Sequence, residues 1–141
     1  MNLAAAVPLQ LHPVAESAGI ARRYVRDALV LLHRVELDEA AQLGVSEMVA
    51  NVCQHAQTPF ELTICETDAG PVRIGVRDGS SSAPEEQPEA TWAVSGRGLR
   101  LLTAAGTWGV TQAPVGTAGK TVWFEPADHI SDVASDMPLA Q

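Results

Sequence analysis

Glu47-Met48-Val49-Ala50-Asn51-Val52-Cys53-Gln54-His55 is the stretch whose reading decides how the rest of the chain is understood. At helical pitch Glu47, Asn51 and His55 fall four residues apart and stack on one face. Val45, Met48, Val49, Val52 and Ala56 occupy the remaining circumference. The result is a mostly apolar helix with a single polar stripe. A half-buried carboxylate is costly unless something pairs with it, so the stripe is either a solvated face or a site. Solvated faces are usually crowded with Lys, Glu and Arg, whereas this one holds single Glu, Asn and His side chains. The stripe alone leaves both readings open, and the flanking sequence has to separate them.

Length and charge narrow the field. A chain of 141 residues is one domain's worth and can bury a sizeable core. The formal charge of -8 argues against a nucleic-acid surface, because phosphate-backbone binding depends on clustered Lys and Arg. An anionic ligand must therefore be held locally, by backbone N–H groups and a few placed bases. The two cysteines, Cys53 and Cys65, sit in apolar runs without metal-ligand spacing. They read as reduced thiols, with a disulfide between them left open. The N-terminus lacks the basic segment of a signal peptide, and no apolar run reaches membrane-spanning length. A soluble, cytoplasmic protein is expected.

Working outward, Val7 to Leu11 reads as a short strand closed by His12-Pro13. From Val14 to about Val35, apolar residues recur every three or four positions, which predicts an amphipathic helix with Arg22, Arg23 and Arg26 outward. The central helix should start near Asp38 as N-cap and run to about Gln57, where Thr58-Pro59 stops it. Phe60, Leu62 and Ile64 then alternate with polar residues, Asp68 to Pro71 makes a turn, and Val72, Ile74 and Val76 alternate again. These are two antiparallel strands, each with one buried face. Residues 80–95 carry three serines in a row, Pro84, Pro88 and the acids Glu85, Glu86 and Glu89. A long structureless loop of this kind suggests a flexible lid. Gly96-Arg97-Gly98 opens a short helix ended by Gly106. A strand follows from Trp108, then a turn over Pro114 to Gly119, and a closing strand over Lys120 to Glu125 with Val122 and Phe124 inward. The expected fold is an α+β two-layer sandwich: a mixed, mostly antiparallel sheet with the helices on one face. A single domain should span 1–126, with an acidic tail over 127–141.

Three features can now be combined. Beside the Glu47/Asn51/His55 stripe stands Asp78-Gly79 at a strand end, where a carboxylate can accept from an exocyclic amine. Gly96-Arg97-Gly98 stands at a helix start, where free N–H groups and the positive end of the helix dipole suit a phosphate. Together they describe a nucleotide pocket with a lid. Gly116-Thr117-Ala118-Gly119-Lys120-Thr121 invites a P-loop reading, but Pro114 takes the place of the first glycine and the segment after it is β rather than helix.

These residues resemble the ATPase/kinase fold shared by gyrase, Hsp90, histidine kinases and MutL, the GHKL or Bergerat superfamily. Within it the chain is most similar to the small anti-sigma-factor serine kinases and their single-domain actinobacterial relatives. Glu47-x-x-x-Asn51 with His55-Ala56 resembles the N box. Val76-Arg77-Asp78-Gly79 resembles the first glycine box and Ser95-Gly96-Arg97-Gly98-Leu99 the second. Trp108-Gly109, with Gly119-Lys120-Thr121-Val122-Trp123-Phe124, resembles the last box and closing strand. The likeness covers roughly 7–126, in order. It implies that Asn51 holds Mg²⁺ through its amide oxygen, an acceptable hard ligand, and that Glu47 orients or deprotonates the attacking hydroxyl. His55 would join Asn51 in the ATP site. Asp78 and Gly79 would take the adenine, with Thr121 helping from the closing strand, and Gly96, Arg97, Gly98 and Leu99 would cradle the phosphates. Two departures stand out: Gln54 where relatives commonly carry Lys or Arg, and Ser80-Ser81 in place of a fuller glycine pattern.

The resemblance implies an ATP- and Mg²⁺-dependent serine/threonine protein kinase that acts as an anti-sigma factor. It would exchange between a sigma factor and a small STAS-like antagonist, with no nucleic acid or membrane partner. Relatives of this type often form homodimers. The alternative is a regulatory module of the same fold that works by nucleotide or protein contacts without catalysis. A detached histidine-kinase ATP domain is a third reading, disfavoured because no dimerisation helix pair with an acceptor histidine fits in this length.

Overall fold

The computed structural model describes residues 3–4, 7–79, 96–112 and 119–128. The lid read over 80–95, most of the turn before Gly119 and the tail beyond 128 lie outside them. The elements in chain order are β1 (Leu3–Ala4), β2 (Leu9–Leu11), α1 (Glu16–Leu31), α2 (Asp38–Asn51), β3 (Phe60–Glu66), β4 (Val72–Asp78), α3 (Gly96–Ala105), β5 (Gly106–Gln112) and β6 (Lys120–Pro126). The sheet runs β1-β3-β4-β6-β5, with β2 pairing on β3 beside β1. Every ladder among the described residues is antiparallel. This is the α+β sandwich expected from the sequence.

Strand parity builds the core. Phe60, Leu62 and Ile64 of β3, Val72, Ile74 and Val76 of β4, and Val122 and Phe124 of β6 all point to one face and are buried there. Against them lie Ala21, Val25, Ala28 and Leu29 of α1, Val45, Met48 and Val49 of α2, and Leu102 and Ala105 of α3. The opposite face is only half covered: Arg73 lies 4.0 Å from the centre of the Trp123 ring and pairs with Glu125 at 2.7 Å. Arg22, Arg23 and Arg26 are exposed on α1, as its pattern predicts.

Several boundaries differ from the sequence reading. Helix α1 stops at Leu31 rather than near Val35 because His33 takes a left-handed φ of 58°. Arg34 N–H then donates to Leu29 C=O and His33 N–H to Val30 C=O, a closed helix end usually built on glycine. Asp38 is the first residue of α2 and not its N-cap; it instead accepts from Gln42 Nε2 at 3.1 Å and faces Arg26 at 3.7 Å. The α-helical part of α2 ends at Asn51, and Val52–Ala56 continue as one π-helical turn. Gln57 closes it with a φ of 54° and an N–H donated to Val52 C=O. Strand β1 gave no sequence signal, and β5 begins at Gly106 instead of Trp108. Cys53 and Cys65 are both free thiols.

Candidate functional site

Asp78 continues the inward parity of Val72, Ile74 and Val76 and is therefore carried to the buried face of β4. A carboxylate placed there must find a partner. Across the ladder its register mate is Lys120, whose ammonium donates to Asp78 Oδ2 at 2.9 Å. Both side chains are almost fully buried, 2% exposed for Asp78 and 7% for Lys120. Gly119 makes the approach possible: with a φ of +112°, it passes so close to Asp78 C=O that a Cβ would stand 2.8 Å from that oxygen. No other residue type combines that backbone conformation with that contact.

The ion pair forms one wall of a narrow cleft with a cavity volume of about 10 Å³, and the π-turn end of α2 forms the other. Met48, Val52, Ala56 and Val122 supply its apolar lining, and Asn51, His55, Asp78 and Lys120 its polar groups. Among the described residues, Asn51 Oδ1 and His55 Nε2 are buried in this cleft without a hydrogen-bond partner. Buried polar atoms are nearly always satisfied, and an orphan calls for an explanation. Two in one cleft point to a polar ligand. The π-turn is a rare element often found at functional sites, and here it carries His55.

The structure brings together part of the constellation read from the sequence. Asn51, His55 and Asp78 share the cleft. Glu47 is half-buried one turn earlier on α2, outside the residues that line it. Gly79 is exposed, its N–H donating to Thr58 Oγ1 at 3.0 Å. The backbone of Gly96, Arg97, Gly98 and Leu99 forms the first turn of α3, a helix that packs against α2; their side chains lie outside the description. Gln54 is exposed. Thr121 requires a correction. It pairs with Arg77, and its methyl group faces Gly75 on the open face of the sheet, so it cannot reach Asp78. The residue that does is Lys120, which the sequence reading passed over. The signal was present: 120, 122 and 124 share parity, and Val122 and Phe124 were already read as inward.

Beside the cleft, burial raises the Cys53 thiol above its ordinary pKa, which keeps it protonated and a poor nucleophile at neutral pH. The donor set also fits a hard cation bridged to phosphate. Among the described residues Asn51 Oδ1 is an uncommitted oxygen of the kind Mg²⁺ accepts, and Mg²⁺ characteristically takes few protein ligands and keeps water and phosphate. Among the described residues no group of three or more His, Cys, Asp or Glu forms a metal centre of its own.

A cleft between a helix end and an antiparallel sheet, holding a buried carboxylate and a buried amide, is an arrangement that suits a nucleotide-binding α+β domain. The family model of the histidine kinase-like ATPase domain matches residues 11–124, and the chain belongs to that family of ATP-binding domains. No curated protein and no solved structure matches the chain. Among the described residues no helix is long and apolar enough to cross a membrane.

Proposed function

We propose that this chain is an ATP-dependent serine/threonine protein kinase acting as an anti-sigma factor. In this reading it binds a sigma factor and, with ATP and Mg²⁺, phosphorylates a serine on a small STAS-like antagonist, so that the two proteins compete for it. The observation that carries the nucleotide part is the meeting of Asp78, Asn51 and His55 in one cleft, with two of their polar atoms orphaned. Asp78 accepts from the adenine amino group. Asn51 holds Mg²⁺, which neutralises phosphate charge, and the free N–H groups at the start of α3 hold phosphate oxygens. Glu47 takes the proton of the attacking serine hydroxyl as its oxygen bonds to the γ-phosphorus and the bond to the β,γ-bridging oxygen breaks, leaving ADP. Such a transfer asks the protein mainly for positioning and charge neutralisation.

The test is transfer of labelled γ-phosphate from Mg·ATP to a purified STAS-like antagonist. Glu47→Ala should abolish transfer while ATP affinity, read by calorimetry, is largely kept. A protein that binds Mg·ATP but labels no antagonist would instead be the non-catalytic module of the same fold, a reading favoured by Glu47 standing outside the residues that line the cleft.

A further inference from the structure

We infer that the Asp78–Lys120 ion pair holds the nucleotide cleft shut, and that ATP enters a form in which the Lys120 ammonium has left Asp78 for solvent. The inference rests on the adenine-binding role proposed for Asp78 and adds to that site an internal competitor for the base.

The argument begins with size. The cleft encloses about 10 Å³, room for about one water molecule, and a purine ring cannot enter until part of the lining moves. Met48, Val52 and Val122 belong to the buried core, so their withdrawal would part α2 from the sheet. Lys120 is different. It is the first residue of β6, and a lysine stem can swing its head into water by side-chain rotation alone. Leaving costs less than the 2.9 Å contact to Asp78 Oδ2 suggests, because the ammonium regains the hydration that burial took from it. Asp78 is not left bare either, since it has a further interaction of its own. The choice of base points the same way. Lys120 is the only lysine in the chain, and the remaining Lys/Arg positions are all arginine. Arginine would grip a carboxylate through two parallel N–H bonds, whereas an ammonium is a point charge on a flexible stem. The pair therefore closes the cleft without locking it.

Because Lys120 is the only lysine, its exposure can be read directly. The full chain is treated briefly with acetic anhydride, with and without saturating Mg·ATP. Acetylation of Lys120 is followed by peptide mass spectrometry, and calorimetry reports occupancy of the site. Lys120 should be acetylated slowly without nucleotide and at least about tenfold faster with it. A rate that is unchanged or lower at full ATP occupancy would overturn the inference while leaving ATP binding itself in place. The second readout is Lys120→Ala. With the open form at about 0.1–10% of the unliganded protein, removing the competitor should tighten Mg·ATP binding by about tenfold to a thousandfold. In stopped flow, the wild-type association rate should level off at high ATP, limited by opening, while that of the variant keeps rising. Equal or weaker ATP binding by a folded Lys120→Ala would show that the ammonium does not compete with the base, which also overturns the inference. If the variant does not fold, the wild-type acetylation rates decide alone. ATP bound by neither protein would remove the nucleotide reading, and the inference with it.

Discussion

Gly44→Ala separates packing from helix propensity by the sign of its effect. Gly44 lies in the middle of α2, where alanine should stabilise the helix by about 1 kcal/mol over glycine. The structure predicts the reverse. A Cβ at this position would collide with the Phe124 ring, overlapping Cδ2 and Cε2. Phe124 is fully buried, so the ring has nowhere to go and α2 must lift from the sheet. Overpacking of a tight core costs about 1–3 kcal/mol, and overlap with two atoms of an immobile ring belongs in the upper half of that range. After subtracting the propensity gain, the net loss is about 1–2 kcal/mol. With a urea m-value of about 2 kcal/mol/M, the unfolding midpoint should fall by roughly 0.5–1 M. ATP affinity should fall as well, because the same helix carries Asn51 to the cleft. Phe124→Leu in the Gly44→Ala background should recover part of the loss, so that the double variant is less destabilised than the two singles added. A Gly44→Ala midpoint at or above the wild-type value would refute the packing argument.

Other consequences follow from the same geometry. Asn51→Ala removes an orphaned buried oxygen, so relief from desolvation should roughly offset the lost packing and leave the urea midpoint nearly unchanged. Nucleotide affinity should nevertheless fall more with Mg²⁺ than with EDTA, and equal losses in the two titrations would sink the metal role. Thr121→Val should leave ATP affinity within about twofold, since the side chain sits on the open face; a loss like that of a single hydrogen bond, about fivefold or more, would restore Thr121 to the site. Tyr24, Cys53 and Cys65 all have pKa values raised chiefly by burial. Above about pH 8.5–10 the unfolded chain has lost those protons while the folded one keeps them, so stability falls as pH rises and levels off only above the folded values. Urea midpoints between pH 7 and 11 check this, and a rise with pH would contradict the burial of the three groups. Asp78→Leu combined with Lys120→Met removes both buried charges together, which is commonly neutral or stabilising. That double variant should match or exceed the wild-type midpoint and bind no ATP, and a collapse in stability would make the pair structural.

The fold was legible because it is written in alternation. Phe60/Leu62/Ile64 and Val72/Ile74/Val76 declared two strands with a common buried face, and Asp68 to Pro71 declared the turn between them. The helix ends were less legible because the chain uses ordinary residues in unusual conformations. His33 and Gln57 both take the left-handed region, where sequence reasoning expects glycine or asparagine. The stop of α1 and the π-turn after Asn51 were therefore invisible. Strand β1 is held by two register pairs to β3, too few residues to show any period. In the site, Asn51 and His55 were legible from their spacing, and Asp78 from its place at the end of β4. Arg97 and Leu99 were reached only through resemblance.

Lys120 exposes a more general limit of motif reading. The resemblance names Thr121 because a hydroxyl on the closing strand is the expected companion of the carboxylate, but motif likeness does not carry parity. In a strand, a shift of one residue moves the side chain to the other face. The inward positions of β6 are fixed by Val122 and Phe124 in the core, and those of β4 by Ile74 and Val76. With both strands pinned by their apolar residues, the Asp78–Lys120 register places those two charges opposite one another on the buried face, and Thr121 necessarily falls with Arg77 outside. The residue that can touch whatever Asp78 touches is thus determined by hydrophobic packing two and four positions further along the strand.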